Sequence, residues 1–244
     1  MVDDWLAALD ERHLADLTPS EVARALRALS SCYVERRGKL AQGGALDSAG
    51  KRAAFALFYA PLHFLVTREI VRALPPDARR VSHILDLGCG TGAAGAAWAV
   101  EAGATRITGI DRHRWAVAEA KWTYRQFHLR GDASQGDLAR PRIHVSRGTG
   151  ILLAYTVNEL PDAARAALLE RLLSHRDATI LVVEPIARRL TAWWDEWRSA
   201  FDRAGGRADE WRFPAALPAR QQQLARAAGL DPRELTARTL FLQA

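Results

Sequence analysis

Asp86, Gly88, Gly90, Gly92 and Asp111 are the residues of this 244-residue chain whose types and spacing most directly suggest chemistry. Glycines at every second position allow φ > 0 and leave the backbone bare of Cβ atoms, so a ligand can lie directly on it. A carboxylate about 20 residues further on, at the end of the next strand, can accept both hydroxyls of a ribose. The pattern describes a seat for a nucleoside. Elements must bring these residues together, and the flanking sequence supplies them. Ile84, Leu85 and Leu87 form a short apolar run, as in a strand buried on both faces of a parallel sheet. Ala93–Val100 is expected to be a compact helix of small residues, and Thr105–Ile110 a second strand ending at Asp111.

Two cofactors compete for this seat. Gly90-Thr-Gly92-Ala-Ala-Gly95 satisfies the dinucleotide pattern G-x-G-x-x-G, with Asp111 at a suitable distance. That pattern needs its first glycine at the turn from strand to helix, whereas Asp86-Leu-Gly88-Cys89 intervenes here. Asp86-x-Gly88-x-Gly90-x-Gly92 instead resembles the first motif of class I S-adenosylmethionine-dependent methyltransferases. The resemblance implies S-adenosylmethionine as cofactor, held by Asp86, Gly88, Cys89, Gly90, Gly92 and Asp111. Arg112 or His113 would flank the adenine, with Ser146 or Arg147 at its other face.

Composition bounds the rest. The length suits one sizeable domain, or a domain with an appendage, around a substantial core. No uninterrupted apolar run is long enough to span a bilayer. The acidic start MVDDWLAALDERH lacks the layout of a signal peptide, so a cytoplasmic protein without a membrane partner is expected. Cys32 and Cys89 stand far apart, and the seven histidines show no ligand spacing, so no metal site is expected. The formal charge of +6 favours a polyanionic partner. Only three of the 34 basic residues are lysine, a bias that a GC-rich coding sequence would also produce.

Residues 1–77 are expected to form an N-terminal helical extension or lid, and residues 78–244 the cofactor-binding domain. Thr18-Pro19-Ser20-Glu21 is a capping box. It opens a helix carrying Val22, Leu26, Leu29 and Tyr33 that closes at Arg36-Arg37-Gly38. Gln42–Ala45 reads as a loop. A second helical segment runs through Phe55, Phe58 and Tyr59, and Pro61 kinks or restarts it before Leu62, Leu65, Ile70 and Leu74. Beyond Asp111, Trp115–Phe127 is helical, His128–Pro141 a polar loop, Arg142–Ser146 a third strand and Ile151–Val157 a fourth. Pro161–Ser174 is an amphipathic helix and Ala178–Val183 a fifth strand. Arg188–Arg203 is a helix with Trp193, Trp194, Trp197 and Phe201. Ala219–Ala228 is a last helix and Leu235–Leu242 a last strand. Such alternation means an α/β fold with a mostly parallel sheet.

In an open α/β sheet the ligand lies beyond the carboxyl ends of the strands, which brings Tyr155, Asn158 and Glu159 to the acceptor side. Asn158 can accept a hydrogen bond from an incoming N–H or O–H. Glu159 can serve as a base, or simply cap the next helix. Asn158-Glu159-Leu160-Pro161 is a distant echo of the Asp/Asn-Pro-Pro-aromatic motif of amino-methylating enzymes. It has no proline after Asn158 and no aromatic after Pro161, so an exocyclic amine acceptor is not inferred. A sulfonium donor carries its own leaving group, so positioning alone can supply most of the acceleration. Trp194, Trp197 and Phe201 could stack on a flat acceptor, although such a stripe is more often core.

A narrower resemblance spans about residues 25–244. Leu29-Ser-Ser-Cys-Tyr33, Phe55–Phe64, DLGCGTG, Ala154-Tyr-Thr-Val-Asn-Glu-Leu-Pro161, Leu181-Val-Val-Glu-Pro185 and Glu210-Trp-Arg-Phe213 follow in a family's order. Together they resemble the methyltransferase-like proteins associated with the mitochondrial small ribosomal subunit and their bacterial relatives. The resemblance implies a Rossmann-like class I methyltransferase fold, a seven-stranded mostly parallel sheet, and RNA or a ribosomal subunit as partner. Arg212 stands where family members carry a cysteine implicated in an iron–sulfur cluster, which argues against a cluster here. A small-molecule acceptor and a non-catalytic assembly role remain as alternatives. The sequence does not give the oligomeric state.

Overall fold

The computed structural model describes residues 1–35, 46–138, 145–186, 193–230 and 232–243. The expected features at residues 36–38, 42–45, 139–144 and 188–192 lie outside them. The chain divides into two compact units, Met1–His63 with Pro214–Leu235, and Phe64–Phe213 with Thr236–Ala244.

The first unit is helical. Helix α1 is Val2–His13 and α2 is Pro19–Glu35. The capping box forms as the sequence requires: the Thr18 amide donates to Glu21 Oε2 at 2.8 Å, and the Glu21 amide to Thr18 Oγ1 at 3.4 Å. Helix α3 (Ala49–Ala54) runs through a π-turn at Phe55–Tyr59 into α4 (Ala60–Ala73). Pro61 has no N–H to give the carbonyl four residues back, and that carbonyl, on Leu57, accepts Gln221 Nε2 at 2.9 Å instead. A distant side chain thus satisfies the acceptor that proline leaves open. Arg220 reaches Asp10 at 2.9 Å, and the Arg27 guanidinium donates to the Ala227 carbonyl. These three links tie Pro214–Leu235 to helices at the other end of the chain. By length and composition Ala49–Ala73 is apolar enough to cross a membrane, and 72% of its most apolar window is buried inside the protein.

The second unit holds a seven-stranded sheet. Its strands are β1 (His83–Leu87), β2 (Arg106–Asp111), β3 (Arg130–Gln135), β4 (Thr149–Ala154), β5 (Ala178–Glu184), β6 (Arg207–Pro214) and β7 (Glu234–Leu242). Their order is β3-β2-β1-β4-β5-β7-β6. The strands from β3 to β5 are parallel, and β7 lies antiparallel to β5. The expected Rossmann-like α/β class is therefore the one found. Helices α5 (Ala93–Ala102), α6 (Arg114–Gln126), α7 (Asp162–Ser174) and α8 (Trp194–Arg203) connect the strands, and α9 (Ala219–Ala227) belongs to the first unit.

Two strands were misread. β3 falls in the stretch expected to be a polar loop, and Val145 and Ser146 are not in a strand. Arg-Gly-Asp-Ala-Ser-Gln has a single buried residue, Ala133, because it borders one neighbour only, and so it lacks the apolar run that marks inner strands. β6, the opposite border, alternates half-buried and exposed residues and was likewise not expected. The tryptophan stripe is core. Trp193, Trp194, Trp197 and Phe201 are buried with Ile151, Leu153, Ile180, Val182 and Leu240 between α8 and the sheet, and so cannot stack on an acceptor.

Candidate functional site

The turn after β1 alternates left-handed glycines with ordinary backbone. Gly88, Gly90 and Gly92 have φ of 76°, 51° and 76°. A Cβ on Gly88 would lie 2.3 Å from Thr156 Cγ2, and one on Gly92 2.6 Å from Tyr124 Cε1. Two of the three glycines are therefore demanded by packing against Thr156, just after β4, and against α6 as well as by their φ, a reason that the spacing alone did not reveal. The loop is sewn to the end of β2. Gly88 and Cys89 both donate to the Ile110 carbonyl, at 2.8 and 3.0 Å, and Gly92 donates to the Cys89 carbonyl at 2.7 Å. The Gly90 amide donates to Asp111 Oδ2 at 2.9 Å, and His113 N–H takes Oδ1 at 2.7 Å. Each oxygen of Asp111 keeps a lone pair for a further donor, such as a sugar hydroxyl.

Asp86 lies beneath the loop, 1% exposed. It accepts the Gly95 N–H, and its Oδ2 has no hydrogen-bond partner among the described residues. Burial raises its pKa to about 7, and the charge of Asp111 adds to the rise. Cys89 is buried and its thiol is pushed well up, so it is no thiolate.

These facts decide between the two cofactors. A pyrophosphate is cradled by free backbone N–H groups in a positive field. Here the amides of Gly88, Cys89, Gly90 and Gly92 are all spent inside the protein, and two carboxylates lie close by. An orphaned buried acceptor beside a second carboxylate suits a cationic ligand bearing a ribose. The loop is built for a sulfonium nucleoside.

Part of the chain matches a methyltransferase family. Residues 84–176 match the family described as "Methyltransferase domain", and S-adenosylmethionine is the methyl donor of this enzyme. No curated protein matches the chain in sequence. Among solved structures, the chain is similar to the mitomycin 7-O-methyltransferase MmcR at TM-score 0.55 and 14% identity, over 98% of this chain and 72% of that one. It is similar to the methyltransferase domain of bacterial CtHen1-C at TM-score 0.53 and 15% identity, over 75% and 99%. It is also similar to a chain in the complex of the Haloferax volcanii Trm112 methyltransferase activator with a methyltransferase, at TM-score 0.52 and 16% identity, over 74% and 89%. At such identities the likeness is one of fold.

The residues expected on the acceptor side lie at the exit from β4. Tyr155 has φ 59°, a left-handed value that costs a non-glycine residue about 1 kcal/mol or more and recurs at functional sites. Its amide is held by the Val183 carbonyl at 2.8 Å, and burial raises its phenol pKa. A single 3₁₀ turn, Val157–Glu159, follows. Glu184, at the end of β5, grips it: Oε1 accepts the Val157 amide at 2.9 Å and Oε2 accepts Asn158 Nδ2. Asn158 Oδ1 in turn accepts Trp193 Nε1 at 3.1 Å. Because an indole only donates, the orientation of the Asn158 amide is fixed. Asn158 is thus anchored to the framework on both sides, and its Oδ1 keeps one lone pair for an incoming donor. Glu184 is buried, and burial raises it to about 8 against the pull of these donors and of Arg238, its register partner on β7. Arg238 stacks over Trp194, 4.2 Å from the ring centroid.

Glu159 pairs with Arg112 at 3.1 Å, joining the ends of β2 and β4. Burial and Asp111 outweigh that guanidinium and raise Glu159 to about 7. Ser146 does not belong here. It lies three residues before β4, at the opposite edge of the sheet, where its amide donates to Thr149 Oγ1 at 3.2 Å. The true third strand ends at Gln135, so residues 135–138 occupy the place assigned to Ser146. Sequence reasoning missed Thr156 and Glu184. Thr156 Oγ1 donates to the Gly88 carbonyl at 3.2 Å, and the signal for both was their position just after or at the carboxyl end of a strand.

Proposed function

We infer that this S-adenosylmethionine-dependent methyltransferase acts on RNA, with ribosomal RNA as the first acceptor to test. The observation that carries the transferase reading is the loop whose amides are spent internally while Asp86 keeps an unmatched acceptor. Asp111 would take the ribose hydroxyls, and Asp86 would face the cationic end of the cofactor. Bound there, the cofactor supplies a methyl group on sulfur with its leaving group attached. Tyr155 and the 3₁₀ turn, stiffened by Glu184, would form the acceptor platform, and Glu159 is a nearby side chain able to take a proton. The RNA reading is supported by the net charge of +6 and by the resemblance to the small-ribosomal-subunit family.

A second reading has an observation of its own. The likeness to the mitomycin 7-O-methyltransferase extends over 98% of the chain, including the helical unit, which favours a small hydroxylated acceptor. The test is methyl transfer from tritiated S-adenosylmethionine to ribosomal RNA and to a panel of phenols. Label in RNA supports the first reading and label in phenols the second. Binding of S-adenosylhomocysteine with transfer to neither would favour the assembly role.

A further inference from the structure

The amino-terminal edge of the sheet, at the far end of the strands from the glycine loop, carries a row of arginines. Arg106 opens β2 and Arg130 opens β3, and the two are register partners. Arg147 comes two residues before β4 and Arg176 two before β5. Arg80 comes three before β1. All five are exposed. Arg80 is paired with Asp77 at 3.0 Å, while the other four have no carboxylate partner among the described residues. Acids close to the row in sequence include Asp77, Asp177, Asp132, held by Lys121 at 2.8 Å, and Glu101, held by Arg72 at 2.9 Å.

Register partners on parallel strands point to the same face, so Arg106 and Arg130 stand side by side on strands about 5 Å apart. Like charges so placed destabilise a sheet unless an anion answers them. Through β3-β2-β1-β4-β5 the row crosses five neighbouring strands, about 19 Å. Among the described residues Met1 is the only exposed large hydrophobic side chain, so the described part of this edge offers no apolar anchor to a protein or a lipid. A line of guanidiniums does fit successive phosphates, which it binds by charge and by paired N–H donors.

We propose that this edge is a docking surface for the phosphodiester backbone of a nucleic acid. It extends the RNA reading given above. Strands of five to seven residues, about 17–23 Å, separate it from the cofactor end, a distance that a macromolecular substrate can span and a small one cannot.

The experiment is fluorescence anisotropy of a labelled single-stranded RNA of about 20 nucleotides, titrated between about 50 and 200 mM KCl, where counterion release is resolved. Wild type is compared with Arg106→Ala/Arg130→Ala/Arg147→Ala/Arg176→Ala. An equal-charge control carries Arg24→Ala/Arg198→Ala/Arg203→Ala/Arg226→Ala, all on exposed helix positions. The edge variant is expected to bind about tenfold more weakly or worse at low salt, with its log–log salt slope shallower by about 3, and the control to stay within about threefold. Unchanged S-adenosylhomocysteine binding shows that the edge variant is folded. Equal weakening in both variants, or none in the edge variant, overturns the proposal. RNA that binds the edge yet receives no methyl group would remove the acceptor reading and leave the docking surface standing.

Discussion

The Gly90 amide and the Asp111 carboxylate are joined by a 2.9 Å hydrogen bond that ties the loop after β1 to the end of β2. The same carboxylate holds the His113 amide, so one side chain shapes both halves of the nucleoside seat. Asp111→Ala frees two amides and removes the proposed acceptor for ribose hydroxyls. Its affinity for S-adenosylhomocysteine is expected to fall about ten- to a hundredfold, as for one or two charge-assisted hydrogen bonds at ~1.5–3 kcal/mol. Titration calorimetry measures it. Wild-type affinity in the variant would mean that this carboxylate touches no ligand.

Asp86 is expected to make the cofactor's binding pH-dependent. Its carboxyl is raised from 3.8 to about 7, so much of it is protonated at neutral pH. A cationic ligand favours the ionised form and pulls the pKa down. Binding near pH 7 should therefore release a fraction of a proton, and affinity should climb between about pH 6 and 8. Calorimetry in buffers of different ionisation enthalpy reads the release directly. An apparent enthalpy identical in all buffers would contradict it, and Asp86→Asn is expected to abolish the effect.

The parts of the site that sequence reveals are those built from backbone. Gly88, Gly90 and Gly92 announce left-handed φ values, and Asp111 marks a strand end, because both are local consequences of residue type. Glu184 was not legible as a partner of Asn158, since 26 residues and a helix separate them and only the parallel pairing of β4 with β5 brings them together. Ser146 failed for a related reason. The border strand β3, polar on nearly every position, gave no apolar period, and the misplaced third strand carried Ser146 to the wrong end of the sheet. The Gln221–Leu57 link could not be read either, because no local rule says which distant donor covers the carbonyl that Pro61 leaves open.

Glu184 should be costly to replace even by its isostere. Glu184→Ala leaves the Val157 amide and the Asn158 amide group without acceptors, at ~1–3 kcal/mol each. Glu184→Gln restores one acceptor but sets an NH₂ against Asn158 Nδ2, and turning Asn158 over would lose Trp193. Both variants should melt lower, Ala the more so. The wild-type carboxyl also has a pH signature. Its pKa rises from 4.5 to about 8 on folding, so the folded state holds a proton that the unfolded state has lost. That stabilisation is full below about pH 4.5 and disappears as pH rises to about 8, at up to ~1.4 kcal/mol per pH unit inside the window. The melting temperature should fall from pH 6 to pH 8 in wild type and less steeply in Glu184→Gln. Parallel curves would show that this carboxyl is not the titrating group.

The Arg112–Glu159 pair joins the ends of β2 and β4, the two strands that flank β1 and its glycine loop. The side chains are 46% and 32% exposed, so the pair is worth at most ~1 kcal/mol to folding. Arg112→Ala should therefore shift the melting temperature by no more than about 2–4 °C. Its larger effect should be kinetic. The expectation is that the pair stands across the way to the loop, where screening by salt would loosen it. Protonation of Glu159 below about pH 7 loosens it as well. Stopped-flow association of S-adenosylhomocysteine should thus quicken with added salt and with a fall from pH 8 to pH 6 in wild type. In Arg112→Ala the rate should start high and respond less to either change. Identical salt and pH dependence in the two proteins would show that the pair does not stand across the entry.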